Sequence, residues 1–294
     1  MGRDLLGSES ANGLVAAVEE RLHLPLSRLM LEGPASSLQA TQHAQPAILL
    51  HSLLLYHALD RREIRPQAVA GHSLGEFAGL VAAEGLTPLD AMQAVAARGR
   101  AMAQAAPSGT GMAAVIGLPD GEVERICSQV PDVVPANYNA PGQVVISGTD
   151  SALDSIRGLL EAAGARRIVR LPVSAAFHSP LMAAAAEAFA ADWELIPVRP
   201  LQLPQVFNAD GEVHGAPDEV RGLMVRQLTG PVRWTDSLMR LKSLGVKTFL
   251  EVGPGKTLSG LVKKVLPQAS VHGVDSLASI DSLRLTPVAQ PRNG

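Results

Sequence analysis

The chain has 294 residues, 47% of them apolar and 18% charged, with a formal net charge of −3. This is an ordinary globular balance with enough apolar residues for a large core, and the length suits one large domain or one domain with a smaller insert. No long basic run points to nucleic acid or an anionic membrane as partner, no apolar run reaches the ~18 residues of a membrane span, and Met1-Gly2-Arg3-Asp4 lacks the order of a signal peptide.

Taken along the chain, residues 13–22 and 45–60 have the apolar spacing of helices, separated by breakers in Leu31-Glu32-Gly33-Pro34-Ala35-Ser36-Ser37. Gln67-Ala68-Val69-Ala70 reads as a short strand, and residues 76–83 read as a helix. Gly85 suits a helix end. Thr87 as N-cap with Pro88 at N1 starts the next helix, which runs to about residue 105. After Pro107-Ser108-Gly109-Thr110-Gly111 the texture changes. Strands are expected at 112–118, 133–137, 143–147 and 167–173, and helices at 119–130 and from the Thr149 cap to about 164. The order βαββαβ is that of a ferredoxin-like unit, so 108–174 reads as a small inserted domain. Helices follow at 181–193, 217–228, 234–244 and 257–265, with strands at 206–208 and 247–252. Strands alternating with helices on both sides of the insert predict an α/β fold with a parallel sheet, from 1–107 together with 175–275. Residues 276–294 are expected to fray.

Gly71-His72-Ser73-Leu74-Gly75 has the G-x-S-x-G pattern of a nucleophile elbow, between the expected strand and helix that such an elbow needs. The glycines leave room for a strained turn that presents the Ser73 hydroxyl. A serine needs a base, and the chain has eight histidines. His72 adjoins the serine, but neighbours on such a turn point apart. His23, His43, His51, His57, His214 and His272 lie in settings with no clear strand end. His178 differs: it follows a strand end at Leu171-Pro172-Val173-Ser174 and precedes a helix start at Ser179-Pro180, where sites in α/β sheets gather. Arg98 lies on a helix face with Met92, Val95 and Met102. It reads either as a solvated arginine like Arg100 or as a buried guanidinium that pairs with a substrate carboxylate, and the residues alone favour the first.

Cys127 is the sole cysteine, so no disulfide can form within the chain, which fits a reducing cytosol. Neither a His-x-x-x-His nor a cysteine pair suggests a metal. Gly253-Pro254-Gly255-Lys256-Thr257 lacks the spacing of a phosphate loop and reads as a tight strand-to-helix turn.

Several segments, in order, resemble the malonyl-CoA:acyl carrier protein transacylases. They are Gln45-Pro46-Ala47, Gly71 to Glu76, Arg98-Gly99, Asn137 to Gly148, Val173 to His178, Arg226-Gln227-Leu228, Pro231 to Trp234 and Glu251 to Gly255. The resemblance implies an α/β hydrolase-like large domain with a ferredoxin-like insert. It implies Ser73 as nucleophile, His178 as base, and Gln227 as the residue whose main-chain carbonyl orients the histidine. It also implies Leu74 as an oxyanion donor and Arg98 as the ligand of the malonyl carboxylate, which reverses the reading from the residues alone. Gln45 and Asn139 match site-lining positions, and Phe177 before the histidine fits a malonyl-type pattern. The implied reaction carries a malonyl group from malonyl-CoA to the phosphopantetheine thiol of acyl carrier protein in fatty-acid synthesis. No cofactor is needed, and a cytoplasmic monomer is expected.

The family also opens with a strand and a Pro-Gly-Gln-Gly-Ser-Gln type loop that supplies a second oxyanion donor. This sequence contains neither, and Met1-Gly2-Arg3-Asp4-Leu5 resembles the segment that the family places a few residues after that loop. A start upstream of Met1 is therefore expected, with an impaired short chain as the alternative. Two other functions stay open: a serine esterase or patatin-like lipase, with Asp210-Gly211 supplying the acid, and an inactive module that binds carrier protein. Carrier proteins are acidic, and Arg166, Arg167 and Arg170 are weak candidates for a docking patch.

Overall fold

The computed structural model describes residues 1–285, apart from Ser174 and the side chains of Glu9 and Ser10. The rest of the expected frayed tail, 286–294, lies outside the described residues. Five helices come first: α1 (Arg3–Leu6), α2 (Glu9–Leu22), α3 (Leu26–Glu32), α4 (Ala35–Gln39) and α5 (Thr41–Asp60). The elbow region follows with β1 (Val69–Ala70), α6 (Gly75–Ala82) and α7 (Pro88–Gln104). Thr87 caps α7, its hydroxyl accepting from the Asp90 N–H at 3.1 Å, with Pro88 in the first turn.

The middle of the chain runs β2 (Thr110–Ile116), α8 (Asp120–Cys127), β3 (Val133–Ala140), β4 (Gln143–Thr149), α9 (Asp150–Ala162) and β5 (Arg167–Arg170). Its four strands form one antiparallel sheet in the order β3-β4-β2-β5. Val115, Val144 and Ile146 from the sheet pack against Val123 and Ile126 of α8 and Leu153, Ile156 and Leu160 of α9, a core of its own. Each such side chain fully buried stabilises by roughly 1.5–3 kcal/mol.

A 3₁₀ turn (Pro180–Met182) leads into α10 (Ala183–Glu194), β6 (Gln205–Val206), β7 (Val213–His214), α11 (Pro217–Thr229) and α12 (Trp234–Ser243). The described chain closes with β8 (Thr248–Val252), α13 (Thr257–Val265), β9 (Ser270–Val274) and α14 (Leu277–Ser282). β1 pairs with β6 in parallel, and β8 pairs with β9 in parallel. The expected single parallel sheet is corrected in two respects: these strands form two separate pieces, and β7 runs antiparallel to β6. The short turn through Ala209-Asp210-Gly211 can only return the chain beside itself, because a parallel return needs a long crossover.

Two cores flank these strands. On one side α5, α6, α7, α10 and α11 bury Leu50, Phe77, Met92, Phe189 and Leu228. Phe77 meets Phe189 and Trp193 edge-on, and these two stack 5.8 Å apart, which ties α6 to α10. On the other side Trp234, Leu238, Leu261 and Val262 of α12 and α13 pack with Val206 and Ala70. The frayed reading is also corrected for 276–282. The Ser276 hydroxyl accepts from the Ser279 N–H in a capping box, Ile280 is buried, and the Leu277 N–H reaches Asp4 Oδ2 at 2.7 Å. Among the described residues no helix is long and apolar enough to cross a membrane.

Candidate active site

The turn between β1 and α6 places Ser73 at φ +51°, a left-handed conformation that costs a non-glycine residue roughly 1–2 kcal/mol. Gly71 makes the turn possible, because a Cβ there would lie 1.9 Å from the Gly75 carbonyl carbon. Gly75 is not required in this way, since a Cβ on it would meet open space. The strain is held from outside the turn. Ser73 N–H donates to Asn208 Oδ1 at 2.6 Å, and Asn208 Nδ2 donates to the Gly71 carbonyl at 2.7 Å. Gln227 Nε2 donates to the Ser73 carbonyl at 3.0 Å.

His178 lies between β5 and the 3₁₀ turn, also left-handed, at φ +59°. Its approach is fixed by Ser147 Oγ donating to the Phe177 carbonyl at 2.7 Å and Ser179 Oγ donating to the Ala176 carbonyl at 2.6 Å. His178 Nδ1 lies 2.8 Å from the Gln227 carbonyl, and Nε2 lies 2.8 Å from Ser73 Oγ. A carbonyl can only accept, so Nδ1 carries the proton and Nε2 offers its lone pair to the serine hydroxyl. Burial, and then the Arg98 cation, push the His178 pKa down to about 3, so the ring is neutral at ordinary pH.

Arg98 is buried at 1% exposure, whereas Arg100 is exposed beside Asp192. Arg98 Nη1 donates to Gln45 Oε1 at 2.6 Å. Its Nη2 donates to Gln227 Oε1 at 2.9 Å and to Ser73 Oγ at 3.1 Å. Its Nε is buried with no acceptor among the described residues. Burial lowers its pKa to about 10, which leaves it charged at neutral pH. Gln45 is held in turn by Thr41 Oγ1 at 3.0 Å and Met102 Sδ at 3.3 Å.

The structure therefore brings together Ser73, His178, Gln227, Arg98 and Gln45. Leu74 sits at the N-cap of α6, where its N–H has no partner within the helix. Asn139 stands one residue further out, its Oδ1 accepting from His72 Nε2 at 2.8 Å, so His72 points away from the serine. Phe177 packs between the large core and the Met112, Ala136 and Val145 cluster of the small sheet. Asp210 is engaged elsewhere, with Arg226 at 2.9 Å and His214 at 3.1 Å. The first-turn N–H groups of α13 at Leu258 and Ser259 are taken by the Glu251 carboxylate, as a strand-to-helix turn rather than a phosphate loop. Among the described residues no cluster of His, Cys, Asp and Glu could hold a metal ion.

Two buried residues at this site carry no role in the sequence reading. Asn208 lies two residues after β6, in the turn, and takes the Ser73 N–H. Glu76 follows the elbow, and its carboxylate accepts from Asn208 N–H and Gln227 Nε2. The signals were available: a carboxylate on a helix otherwise as apolar as α6, and an amide directly after an apolar stretch.

Comparison with known proteins gives the family of the chain. The acyl transferase domain family matches residues 1–289. A malonyl CoA-acyl carrier protein transacylase of Bacillus subtilis is 38% identical over 271 residues, 90% of this chain and 86% of the relative. One of Escherichia coli K12 is 40% identical over 256 residues, 85% of this chain and 83% of the relative. The crystal structure of an acyl carrier protein S-malonyltransferase from Vibrio cholerae superposes with a TM-score of 0.92 at 34% identity, covering 96% of this chain and 94% of that one. A malonyl-transacylase in complex with a type II polyketide acyl carrier protein superposes with a TM-score of 0.91 at 35% identity, covering 95% and 92%. The chain belongs to the acyl transferase domain family and, within it, to the malonyl CoA-acyl carrier protein transacylases.

Proposed function

We propose that this chain transfers a malonyl group from malonyl-CoA to the phosphopantetheine thiol of an acyl carrier protein, through an ester on Ser73, in fatty-acid synthesis. The observation that carries this reading is a buried, charged Arg98 within 3.1 Å of a serine oxygen that also faces a neutral histidine. A general serine hydrolase has no use for a buried cation there, and Asp210 is too engaged with Arg226 and His214 to serve as the acid of a patatin-like site.

Ser73 Oγ attacks the thioester carbonyl carbon while His178 Nε2 takes its proton. The Gln227 carbonyl holds Nδ1–H, fixes the tautomer and favours the cation that forms. The Leu74 N–H faces the developing oxyanion at the start of α6. The carbon–sulfur bond breaks, the coenzyme A sulfur takes the proton from His178, and the malonyl ester remains. The carrier thiol then attacks the ester with His178 again as base, and Ser73 Oγ recovers its proton. Arg98 pairs with the free carboxylate through donors that include its unengaged Nε, and Gln45 keeps the guanidinium in place. Asn139 and Phe177 line the site. Nothing in these steps draws on a resident cofactor or metal.

The same reading assigns 1–107 with 175–275 to a hydrolase-like domain and 108–174 to a ferredoxin-like insert. The strand order of the four-stranded sheet supports the second assignment. The test is incubation with malonyl-CoA followed by peptide mass analysis. The Ser73 peptide gains one malonyl group, and holo carrier protein then removes it. A Ser73 peptide that stays unmodified overturns the reading.

A further inference from the structure

Ser73 has both of its backbone polar groups held by side chains distant in sequence. Asn208 accepts from its N–H, and Gln227 donates to its carbonyl. These two residues meet at one carboxylate. Glu76 is 1% exposed, its Oε1 accepts from the Asn208 backbone N–H at 2.5 Å, and its Oε2 accepts from Gln227 Nε2. Gln227 is also the residue whose carbonyl accepts from His178 Nδ1 at 2.8 Å. A closed ring of hydrogen bonds thus runs from the nucleophile through Asn208, Glu76 and Gln227 to the base and back.

We propose that Glu76 is a positioning residue, whose carboxylate fixes the geometry between Ser73 and His178 through Asn208 and Gln227. The proposal rests on the reading of Ser73 as nucleophile and His178 as base. The donor pattern requires a carboxylate. The Gln227 amide cannot turn over, because its Oε1 accepts from Arg98 and its Nε2 donates to the Ser73 carbonyl. Both Glu76 oxygens therefore face N–H groups. A glutamine there offers one acceptor and one donor, and its donor meets another donor. Burial opposes the charge and pushes the Glu76 pKa up to about 8, while Asn208, Gln227 and Arg98 pull it down and Asp210 adds a smaller upward push. The ring is therefore tightest on the alkaline side of neutrality, where Glu76 is ionised and His178 is neutral.

The test is Glu76→Gln in the full chain, assayed with malonyl-CoA and, separately, with a fluorophosphonate that labels activated serines whatever their acyl substrate. At about pH 9 the variant loses about 10- to 100-fold in kcat, KM for malonyl-CoA stays within about three-fold, and labelling of Ser73 slows in proportion. The deficit narrows towards about pH 6.5, where the wild-type carboxyl holds a proton, and Glu76→Asp recovers most of the rate. Added to His178→Ala, Glu76→Gln costs less than about three-fold more, because the two act through one geometry. A rate within about two-fold of wild type at pH 9, a loss carried wholly by KM, or the full loss repeated on His178→Ala overturns the proposal. If Glu76→Gln yields no folded protein, Glu76→Asp decides: it loses about three-fold in kcat at unchanged KM, with Ser73 labelling slowed in step, and a loss carried wholly by KM overturns the proposal. A wild-type chain labelled by the phosphonate but inert to malonyl-CoA refutes the malonyl reading, and the labelling rates still judge Glu76.

Discussion

Arg98 Nη2 and His178 Nε2 approach the same atom, Ser73 Oγ, from 3.1 Å and 2.8 Å. On the proposed reading, the group for the substrate's carboxylate and the group for the serine's proton therefore converge on one oxygen. The cation also acts on His178, adding to burial in keeping the ring neutral.

Arg98→Ala separates these roles. Malonyl transfer falls by roughly 3–5 kcal/mol in transition-state stabilisation, because a buried carboxylate loses its partner. Acetyl-CoA brings no such carboxylate, so acetyl transfer gains relative to malonyl transfer. Competition between the two thioesters for Ser73, read by peptide mass, measures the ratio. An unchanged acyl preference removes Arg98 from substrate recognition.

The neutral His178 sets a pH dependence of stability. Its pKa is about 3 in the folded chain against an ordinary value of 6.5, so the unfolded chain takes up the proton more readily. The stability it contributes is present in full above pH 6.5 and is lost as pH falls towards 3. Urea unfolding of wild type and His178→Ala across this range shows the difference, with the wild type losing ground to the variant as the solution becomes more acid. Parallel curves contradict the assignment of a neutral, buried ring.

The two elbow glycines are predicted to behave oppositely. Gly71→Ala places a methyl in the backbone of Gly75 and Glu76 and destabilises the chain by about 3 kcal/mol or more. Gly75→Ala meets open space and leaves the melting temperature nearly unchanged. Any loss of activity in Gly75→Ala is then read as crowding of the substrate rather than as loss of the turn. Thermal unfolding of both variants is the measurement.

The distribution of lysines offers one surface on which to test carrier-protein docking. All five lysines of the chain fall between Lys242 and Lys264. Lys263 and Lys264 are exposed on α13, and Lys264 Nζ donates to Gln143 Oε1 at 2.8 Å, where α13 meets the four-stranded sheet. Arg170, by contrast, is already paired with Asp150. Lys263→Glu with Lys264→Glu is expected to raise KM for an acidic carrier protein by about 10-fold, mostly through slower association, and to leave malonyl-Ser73 formation from malonyl-CoA intact. Equal effects on both half-reactions locate docking elsewhere.

The elbow was legible because its requirements are local: a glycine where a Cβ cannot fit, a strand before and a helix after. His178 was legible as a histidine just before a helical turn, although the strand expected to end beside it stops at Arg170. Arg98 was not, since nothing in its own helix tells it from Arg100, and its burial is decided by Gln45 and Gln227 far along the chain. Gln227 acts on His178 through a main-chain carbonyl, which every residue has, so only resemblance singled it out. Glu76 looked like an ordinary helix carboxylate until Asn208 and Gln227 were seen to close on it. β9 is hard to read because serine, histidine and glycine dilute the two valines of Ser270-Val271-His272-Gly273-Val274, and α14 because its anchor, Asp4, is at the other end of the chain.

The clasp on the Ser73 backbone also sets an order of events during synthesis. Its two holding residues, Asn208 and Gln227, lie 135 and 154 positions further along the chain. A nascent chain leaving the ribosome therefore exposes its serine long before the parts that force it into its strained shape exist. Both holds on the Ser73 backbone exist only once α11 has been made and docked, when at least 229 of the 294 residues have been joined, so on the proposed reading the nucleophile is shaped late in synthesis.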